Sequence, residues 1–348
     1  MVPTDEFTTA LRLELELRYG GYRPWTVDTL YFGGGTPSRL GADGVVRMLD
    51  IIRSRVSLAP GAEVTLEANP DDITRENVAA WVASGVNRLS IGAQSFDDET
   101  LRWMHRTHDA GAIVRSVQSA RDGGIENLSL DLIFALPERG APATRSWSRD
   151  VDLALTLAPS HLSLYGLTIE QHTPLGRWHR RGDVSESPEE RYETEFLYAH
   201  HALTDASLEH YEVSNFGRPG FRSRHNSSYW SAVPYAGLGP SAHEFDGTVR
   251  RWNTAPYAEW VAKLQASKDP IAGSETLSED NLIAESVYLG LRTTAGLELR
   301  GPELDRVAPW IAAGWGTIES GNRLVLSPPG WLRLDTLAAD LTLVRSHY

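Results

Sequence analysis

Short apolar runs alternate with amphipathic stretches along most of this chain, a pattern that predicts strands alternating with helices. The apolar runs predict strands at Thr26–Phe32, Glu63–Leu66, Arg88–Ile91, Leu128–Asp131, His161–Leu164 and His210–Val213. The stretches between them predict helices at Gly41–Arg55, Thr74–Ser84, Asp97–His105, Gly111–Asp122, Ser146–Leu157 and Pro188–Asp205. Repeats of this length predict right-handed crossovers and an α/β fold with a parallel sheet, as a full or partial barrel.

The segment Phe7–Tyr19 carries two conflicting signals. Leucines occupy alternate positions from Leu11 to Leu17, as they would in a strand. The residues themselves are strong helix formers, and the second half of the segment contains no β-branched residue. We therefore predict a helix, ended by Gly20-Gly21.

The pattern becomes irregular after the last predicted strand, and the end of the chain resembles a small separate unit. Residues 251–278 predict a connector with one short helix at residues 257–266. Residues 279–348 predict three helices and a hairpin around the Gly321-Asn322-Arg323 turn, which together suggest a winged-helix-like module. The predicted domains are a partial barrel with its extension at 1–250, the connector at 251–278, and the C-terminal module at 279–348.

Three consecutive glycines, Gly33–Gly35, follow the first predicted strand and precede Thr36-Pro37-Ser38. Residues without Cβ let the chain turn sharply and bring peptide N–H groups against a ligand. The N-terminus of the following helix would favour a phosphate or another anion. A plain turn explains the same residues equally well.

Polar residues follow or end several predicted strands. Glu67, Gln94, Asp131 and Tyr165-Gly166 all occupy such positions. The carboxyl ends of parallel strands meet at one rim, where ligands collect in folds of this kind. We therefore expect these residues to line a shared site, although any one of them has an ordinary structural explanation.

Two histidine-containing segments are candidate ligand sites. His225 begins the run His225-Asn226-Ser227-Ser228-Tyr229-Trp230, and its ring nitrogen could bind a metal or a haem iron. A hydrogen-bonded histidine in a packed loop is the alternative. His105 and His108 are three residues apart, but no third metal ligand accompanies them.

Composition narrows the classes of partner. The formal net charge of -13 argues against nucleic acid, whose binding depends on clustered lysine and arginine. No apolar run approaches the roughly 18 residues of a membrane span, and the first residues do not resemble a signal peptide, so we expect a cytoplasmic protein. The sequence contains no cysteine, which removes thiol nucleophiles and thiolate metal ligands together.

Several motifs, taken in chain order, resemble the radical S-adenosylmethionine family that contains the oxygen-independent coproporphyrinogen III oxidases. They are Phe32–Ser38, Leu66–Pro70, Gly85–Phe96, Leu101–His108, Leu130–Ile133 and Leu164–Glu170. The resemblance covers essentially the whole chain. Within this family, the run from His225 to Trp230 is similar to a signature associated with haem binding in the haem-chaperone branch.

The resemblance implies a set of site residues. It implies S-adenosylmethionine contacts at Gly34, Gly35, Thr36, Glu67, Gln94, Arg106 and Asp131, and a haem contact at His225. The leading hypothesis is a haem-binding chaperone that passes haem to an unidentified acceptor protein. The alternatives are an oxygen-independent coproporphyrinogen III oxidase that decarboxylates propionates, and a cluster-free barrel that binds a phosphate ligand or serves as a scaffold.

One family feature is missing from this sequence. Members of the family hold a [4Fe–4S] cluster through three cysteines in a CxxxCxxC loop after their first strand, whereas this sequence begins after that position and has no cysteine. Either a preceding segment is missing or the lineage has discarded the radical chemistry. We therefore expect a barrel of radical S-adenosylmethionine type that lacks its first strand, and no radical chemistry from this chain alone.

Overall fold

The computed structural model describes residues 3–21, 25–142, 145–171 and 173–347. Its α-helices are α1 (Thr4–Tyr19), α2 (Gly41–Arg53), α3 (Arg75–Ala83), α4 (Asp98–Trp103), α5 (Ala110–Asp122), α6 (Trp147–Thr156), α7 (Pro174–Arg180), α8 (Glu189–Asp205), α9 (Arg224–Trp230), α10 (Tyr257–Gln265), α11 (Glu279–Leu291), α12 (Gly301–Ala312), α13 (Pro328–Trp331) and α14 (Leu334–Arg345). Its strands are β1 (Trp25–Phe32), β2 (Val56–Ala68), β3 (Arg88–Gln94), β4 (Asn127–Phe134), β5 (His161–Gly166), β6 (Glu209–Glu212), β7 (Asn215–Gly217), β8 (His243–Phe245), β9 (Val249–Asn253), β10 (Ile271–Thr276), β11 (Leu297–Glu298), β12 (Gly316–Glu319) and β13 (Arg323–Leu326). The predicted alternation of strands and helices is confirmed, and α7 is a helix that the sequence analysis did not predict.

Seven strands form one curled sheet in the order β1-β2-β3-β4-β5-β7-β6. Strands β1 to β5 run parallel to one another, and β7 is antiparallel to both β5 and β6. Because β1 and β6 lie at opposite edges, the sheet is a partial barrel and not a closed one. The predicted α/β fold is therefore confirmed. The short strand β7 was not predicted, since three residues are too few for a periodic signal.

The strands of this sheet carry apolar side chains on one face and polar side chains on the other. Leu66, Leu89 and Leu130 are 0% exposed and belong to the apolar face, which packs against the helices. Burial of one such leucine contributes about 1.5–3 kcal/mol. The alternate positions point inward, since successive side chains of a strand face opposite sides. There Glu67 lies beside Ser90 in the register of β2 and β3, so the inner face of the partial barrel is polar.

Helix α1 forms as predicted, and the structure resolves its conflicting signals. Leu11 and Leu15 are buried four residues apart, whereas Leu13 and Leu17 are exposed, so the burial follows a helical period. The buried carboxylate of Glu14 accepts hydrogen bonds from the backbone N–H of Gly239 (2.8 Å), Asn253 Nδ2 (2.6 Å) and Trp260 Nε1 (3.1 Å). These hydrogen bonds connect α1 to the last residue of β9, to α10 and to the loop that contains Gly239.

Two small antiparallel sheets follow the partial barrel. One has the order β10-β9-β8, so the range predicted as a connector contains β10 and the last residues of β9 as well as the predicted short helix. The other has the order β11-β13-β12 and packs with α11, α12 and α13, while α14 packs against α11 and α12. The predicted turn joins β12 to β13, where Gly321 and Asn322 adopt φ of 76° and 57°. Three helices around a small antiparallel sheet agree with a winged-helix-like arrangement.

Candidate functional site

The carboxylate of Glu67 and the glycine turn after β1 are in direct contact. Tyr31 Oη donates to Glu67 Oε1 at 2.7 Å, and the backbone N–H of Gly34 donates to Glu67 Oε2 at 3.1 Å. A Cβ atom on Gly33 would lie 2.6 Å from Glu67 Oε1, so only glycine lets the turn approach this carboxylate. Burial raises the pKa of Glu67, opposed by these two hydrogen bonds. The structure thus brings Gly34 and Glu67 together, with Gly35 exposed beside them and Thr36 half-buried before a short 3₁₀ turn.

Asp131 lies on the same inner face, two strands away from Glu67. Its carboxylate accepts hydrogen bonds from Ser90 Oγ at 2.9 and 3.1 Å and from Ser129 Oγ at 3.2 Å. Burial, with a smaller contribution from the nearby Glu67 charge, raises the pKa of Asp131 to about 7, against the opposing effects of the Ser90 hydrogen bond and Arg88. Near neutral pH the Asp131 carboxyl is therefore divided between its protonated and its ionised form.

Two expected strand ends need correction. Glu67 lies inside β2 and Asp131 inside β4, which continues to Phe134, whereas the sequence analysis placed Glu67 after its strand and Asp131 at the end of its own. The strands continue because a carboxylate on the polar inner face does not interrupt the apolar packing of the outer face. Gln94, which was predicted to follow its strand, is instead the last residue of β3, with a φ of 65°.

Gln94 and Arg106 are related to the rim in different ways. A Cβ atom added to Gly92 would lie 2.8 Å from Gln94 Nε2, so the Gln94 amide lies beside the Gly92 backbone near the end of β3. Arg106 is half-buried, and burial lowers its pKa. Its side chain lines a cavity of about 330 Å³ beside α4 and α5. Within the described ranges, the Arg106 side chain makes no hydrogen bond or ion pair with Glu67 or Asp131.

His225 lies in helix α9, where the sequence analysis expected irregular structure. The Ser223 hydroxyl caps this helix, and the backbone N–H groups of Arg224 and His225 donate to the buried carboxylate of Glu63 at 3.1 and 3.0 Å. The helix forms despite poor helix formers because these contacts satisfy its first N–H groups. The predicted His-Asn-x-x-Tyr-Trp run is thus docked on the inner face of the sheet.

Both ring nitrogens of His225 have partners. Nδ1 lies 2.8 Å from Thr29 Oγ1, and Nε2 lies 2.9 Å from Tyr229 Oη. The ring stacks on Tyr31, with 4.8 Å between centroids and 17° between planes. Burial lowers the pKa of His225 to about 4, so the ring is neutral at physiological pH. Tyr31 therefore contacts both Glu67 and His225.

A chain of buried polar groups also connects Asp131 to α9. Ser129 Oγ lies 2.8 Å from His161 Nδ1, and His161 Nε2 lies 2.8 Å from Tyr211 Oη. The same Tyr211 oxygen accepts the backbone N–H of Ser223 at 3.1 Å. The sequence analysis missed Tyr31, Thr29, Glu63 and this chain. The signal that could have found them is the polar alternation within each strand, such as Glu63-Val64-Thr65-Leu66-Glu67.

The residues of this chain do not fit a cysteine-ligated iron–sulfur cluster. The sequence contains no cysteine, and in the described part of the chain no three histidine, aspartate or glutamate side chains form a metal-binding group. His108 is buried, with Nε2 3.2 Å from the carbonyl oxygen of Ala93. The described side chains therefore offer no set of ligands for such a cluster.

Comparison with known proteins identifies the family. The Radical SAM superfamily model matches residues 3–140. A haem chaperone HemW from Mycobacterium tuberculosis is 35% identical over 343 residues, which cover 98% of this chain and 87% of that protein. The chain belongs to the HemW family. A HemW from Bacillus subtilis is 32% identical over 318 residues, covering 89% of this chain and 83% of that protein. HemW membership confirms the family resemblance found in the sequence, while the individual site residues stay predictions.

A solved structure supports the fold independently. The coproporphyrinogen III oxidase HemN from Escherichia coli, a radical SAM enzyme, superposes with a TM-score of 0.81 at 21% identity, covering 98% of this chain and 83% of that chain. At this identity the likeness shows the fold alone. Within residues 3–21, 25–142, 145–171 and 173–347, no helix has the length and hydropathy of a bilayer-spanning segment.

Proposed function

We propose that this protein binds haem and passes it to an acceptor protein, and that the rim of its partial barrel binds S-adenosylmethionine. The related proteins of the HemW family carry the name haem chaperone. The observation that carries the proposal is the position of His225, which lies in a helix docked by Glu63 onto the inner face of the sheet. A ring nitrogen there becomes available to haem iron once Thr29 or Tyr229 releases it.

The rim has the chemistry that S-adenosylmethionine requires. This molecule carries an ammonium, a sulfonium, a carboxylate and ribose hydroxyls. The carboxylates of Glu67 and Asp131 suit the cationic and hydroxyl groups. The exposed Gly35 peptide and the Thr36 hydroxyl would face the nucleoside, and Gln94 and the Arg106 guanidinium would reach its remaining polar groups and carboxylate.

The oxidase alternative is less well supported. It needs a reductive cleavage of S-adenosylmethionine by a cluster, and this chain supplies no thiolate to hold one. Its structural support is the fold that this chain shares with HemN, at a sequence identity of 21%. Formation of 5′-deoxyadenosine by the chain as given, under anaerobic reducing conditions, would revive this alternative.

Titration with haemin tests the proposal. We expect a Soret band to develop and saturate with the wild-type chain, and the His225→Ala variant to bind at least about tenfold more weakly. The control is His347→Ala, which changes an exposed histidine of the C-terminal module. Failure of the wild-type chain to shift the haemin spectrum would refute haem binding. Equal affinity of the His225→Ala variant would remove His225 from the site.

A further inference from the structure

Tyr31 contacts both parts of the proposed site through different groups. Its hydroxyl donates to Glu67 Oε1 at 2.7 Å, and its ring stacks on His225 with a 4.8 Å separation of centroids. Gly33 makes room for this arrangement, since a side chain there would collide with both Tyr31 and Glu67. One side chain therefore fixes the distance between a rim carboxylate and a histidine ring.

The His225 ring is closed to a metal in this arrangement. Thr29 occupies Nδ1 and Tyr229 occupies Nε2, and the Tyr31 ring covers one face. Coordination of an iron needs a free nitrogen lone pair. The ring must therefore leave one hydroxyl partner before it can coordinate, and a stacked Tyr31 opposes the rotation that this requires.

Glu67 is the only hydrogen-bond partner of the Tyr31 hydroxyl in the described part of the chain. The other oxygen of Glu67 accepts from the Gly34 N–H. A ligand whose hydroxyl or ammonium group donates to Glu67 Oε1 shares that oxygen with Tyr31 and reduces its negative charge, which weakens the Tyr31 hydrogen bond. Weakening this bond releases the tyrosine ring from its fixed stack on His225.

We propose that Tyr31 is a positioning residue that couples occupancy of the nucleoside rim to the availability of His225. Binding of S-adenosylmethionine at Glu67 loosens Tyr31 and so opens the His225 ring to haem iron. The coupling is reciprocal, so haem raises the affinity for S-adenosylmethionine by the same factor. This inference rests on the proposed function, because it needs both ligands to bind.

Haemin titrations with and without saturating S-adenosylmethionine measure the coupling. For the wild-type chain we expect the ligand to lower the Kd for haemin by about fivefold or more. The Tyr31→Phe variant keeps the ring but loses the hydroxyl. We expect it to bind haemin without S-adenosylmethionine as tightly as the saturated wild type, and to show less than a twofold further effect of the ligand.

Two further variants make the test specific. Tyr31→Leu removes the ring as well, and we expect the same loss of coupling. Tyr235→Phe is the matched control, since Tyr235 packs edge-on against Tyr229 with 4.7 Å between centroids and makes no hydrogen bond to Glu67. It should keep the wild-type coupling. Circular dichroism melting curves establish that each variant is folded.

The outcomes separate this inference from the proposed function. If both ligands bind the wild-type chain but haemin affinity is the same with and without S-adenosylmethionine, the inference is overturned alone. Unchanged coupling in folded Tyr31→Phe overturns it as well. Failure of the wild-type chain to bind haemin overturns the proposed function and this inference with it.

Discussion

The Arg292 guanidinium lies over the indole ring of Trp230, with its Cζ atom 4.1 Å from the ring centroid. The same guanidinium pairs with the fully buried carboxylate of Glu212 at 3.1 Å. Arg292 follows α11 and Trp230 ends α9, so this contact joins the C-terminal module to the helix that carries His225. That helix is therefore fixed at its N-terminus by the sheet and at its C-terminus by the module.

Replacement of Arg292 by alanine leaves Glu212 buried without its counter-charge. Loss of one partner of such a pair typically costs about 3–5 kcal/mol. We expect urea denaturation to show a decrease of about 3 kcal/mol in the free energy of unfolding. The control is Arg306→Ala, which breaks an exposed pair with Asp340 and should lower the stability far less than Arg292→Ala. Similar losses in both variants would contradict the role assigned to Arg292.

A side chain at Gly33 should disrupt the rim. The Cβ of Gly33→Ala would lie 2.6 Å from Glu67 Oε1 and also collide with the Tyr31 ring. We expect S-adenosylmethionine affinity to fall by about tenfold or more, a loss of about 1.4 kcal/mol in binding free energy. Gly301→Ala is the control, since nothing lies within 4 Å of its Cβ. Calorimetry that shows equal affinities for both variants would contradict the assignment of this turn.

The raised pKa of Asp131 predicts a pH dependence. With a pKa of about 7, the ionised fraction of this carboxyl rises from about one tenth at pH 6 to about nine tenths at pH 8. A cationic ligand prefers the ionised form, so we expect S-adenosylmethionine affinity to rise by up to about tenfold over this range. The Asp131→Asn variant should show a flat profile. A wild-type profile as flat as that of Asp131→Asn would contradict the prediction.

The raised pKa of Asp131 also predicts the direction in which the stability of the folded protein changes with pH. Between about pH 4 and pH 7 the folded state holds the proton on Asp131 while the unfolded state has lost it, so the stabilisation from this proton disappears as the pH rises through 7. We therefore expect the melting temperature of Asp131→Asn, relative to the wild type, to be higher at pH 8 than at pH 5. A relative melting temperature that falls with pH would contradict the raised pKa.

Sequence periodicity predicted the parallel sheet well because the outer face of each strand is strongly apolar. It placed the start of β2 too late, at Glu63, because Pro60-Gly61 resembles a loop. In the structure the strand passes through this dipeptide with Gly61 at a φ of 72°, and the pairing register of β1 shifts between Val27 and Thr29. A bulge of this kind has no local hydrophobic signal.

The contacts of the site were harder to predict than the fold. Tyr31 was grouped with the apolar run of its strand, which hid the hydroxyl that reaches Glu67. Helix α9 has weak intrinsic propensity and forms through its tertiary contact with Glu63. Long-range contacts of this kind follow from the curl of the sheet, which no spacing along the chain encodes.

Isothermal calorimetry of S-adenosylmethionine with the wild-type chain and with Glu67→Gln tests the central claim most directly, namely that the rim beginning at the triple glycine is a nucleoside pocket. The account predicts saturable binding to the wild-type chain and at least about tenfold weaker binding to Glu67→Gln, because the neutral amide loses the charge that faces the ligand. Absence of binding to the wild-type chain, or equal affinity of both proteins, would contradict it.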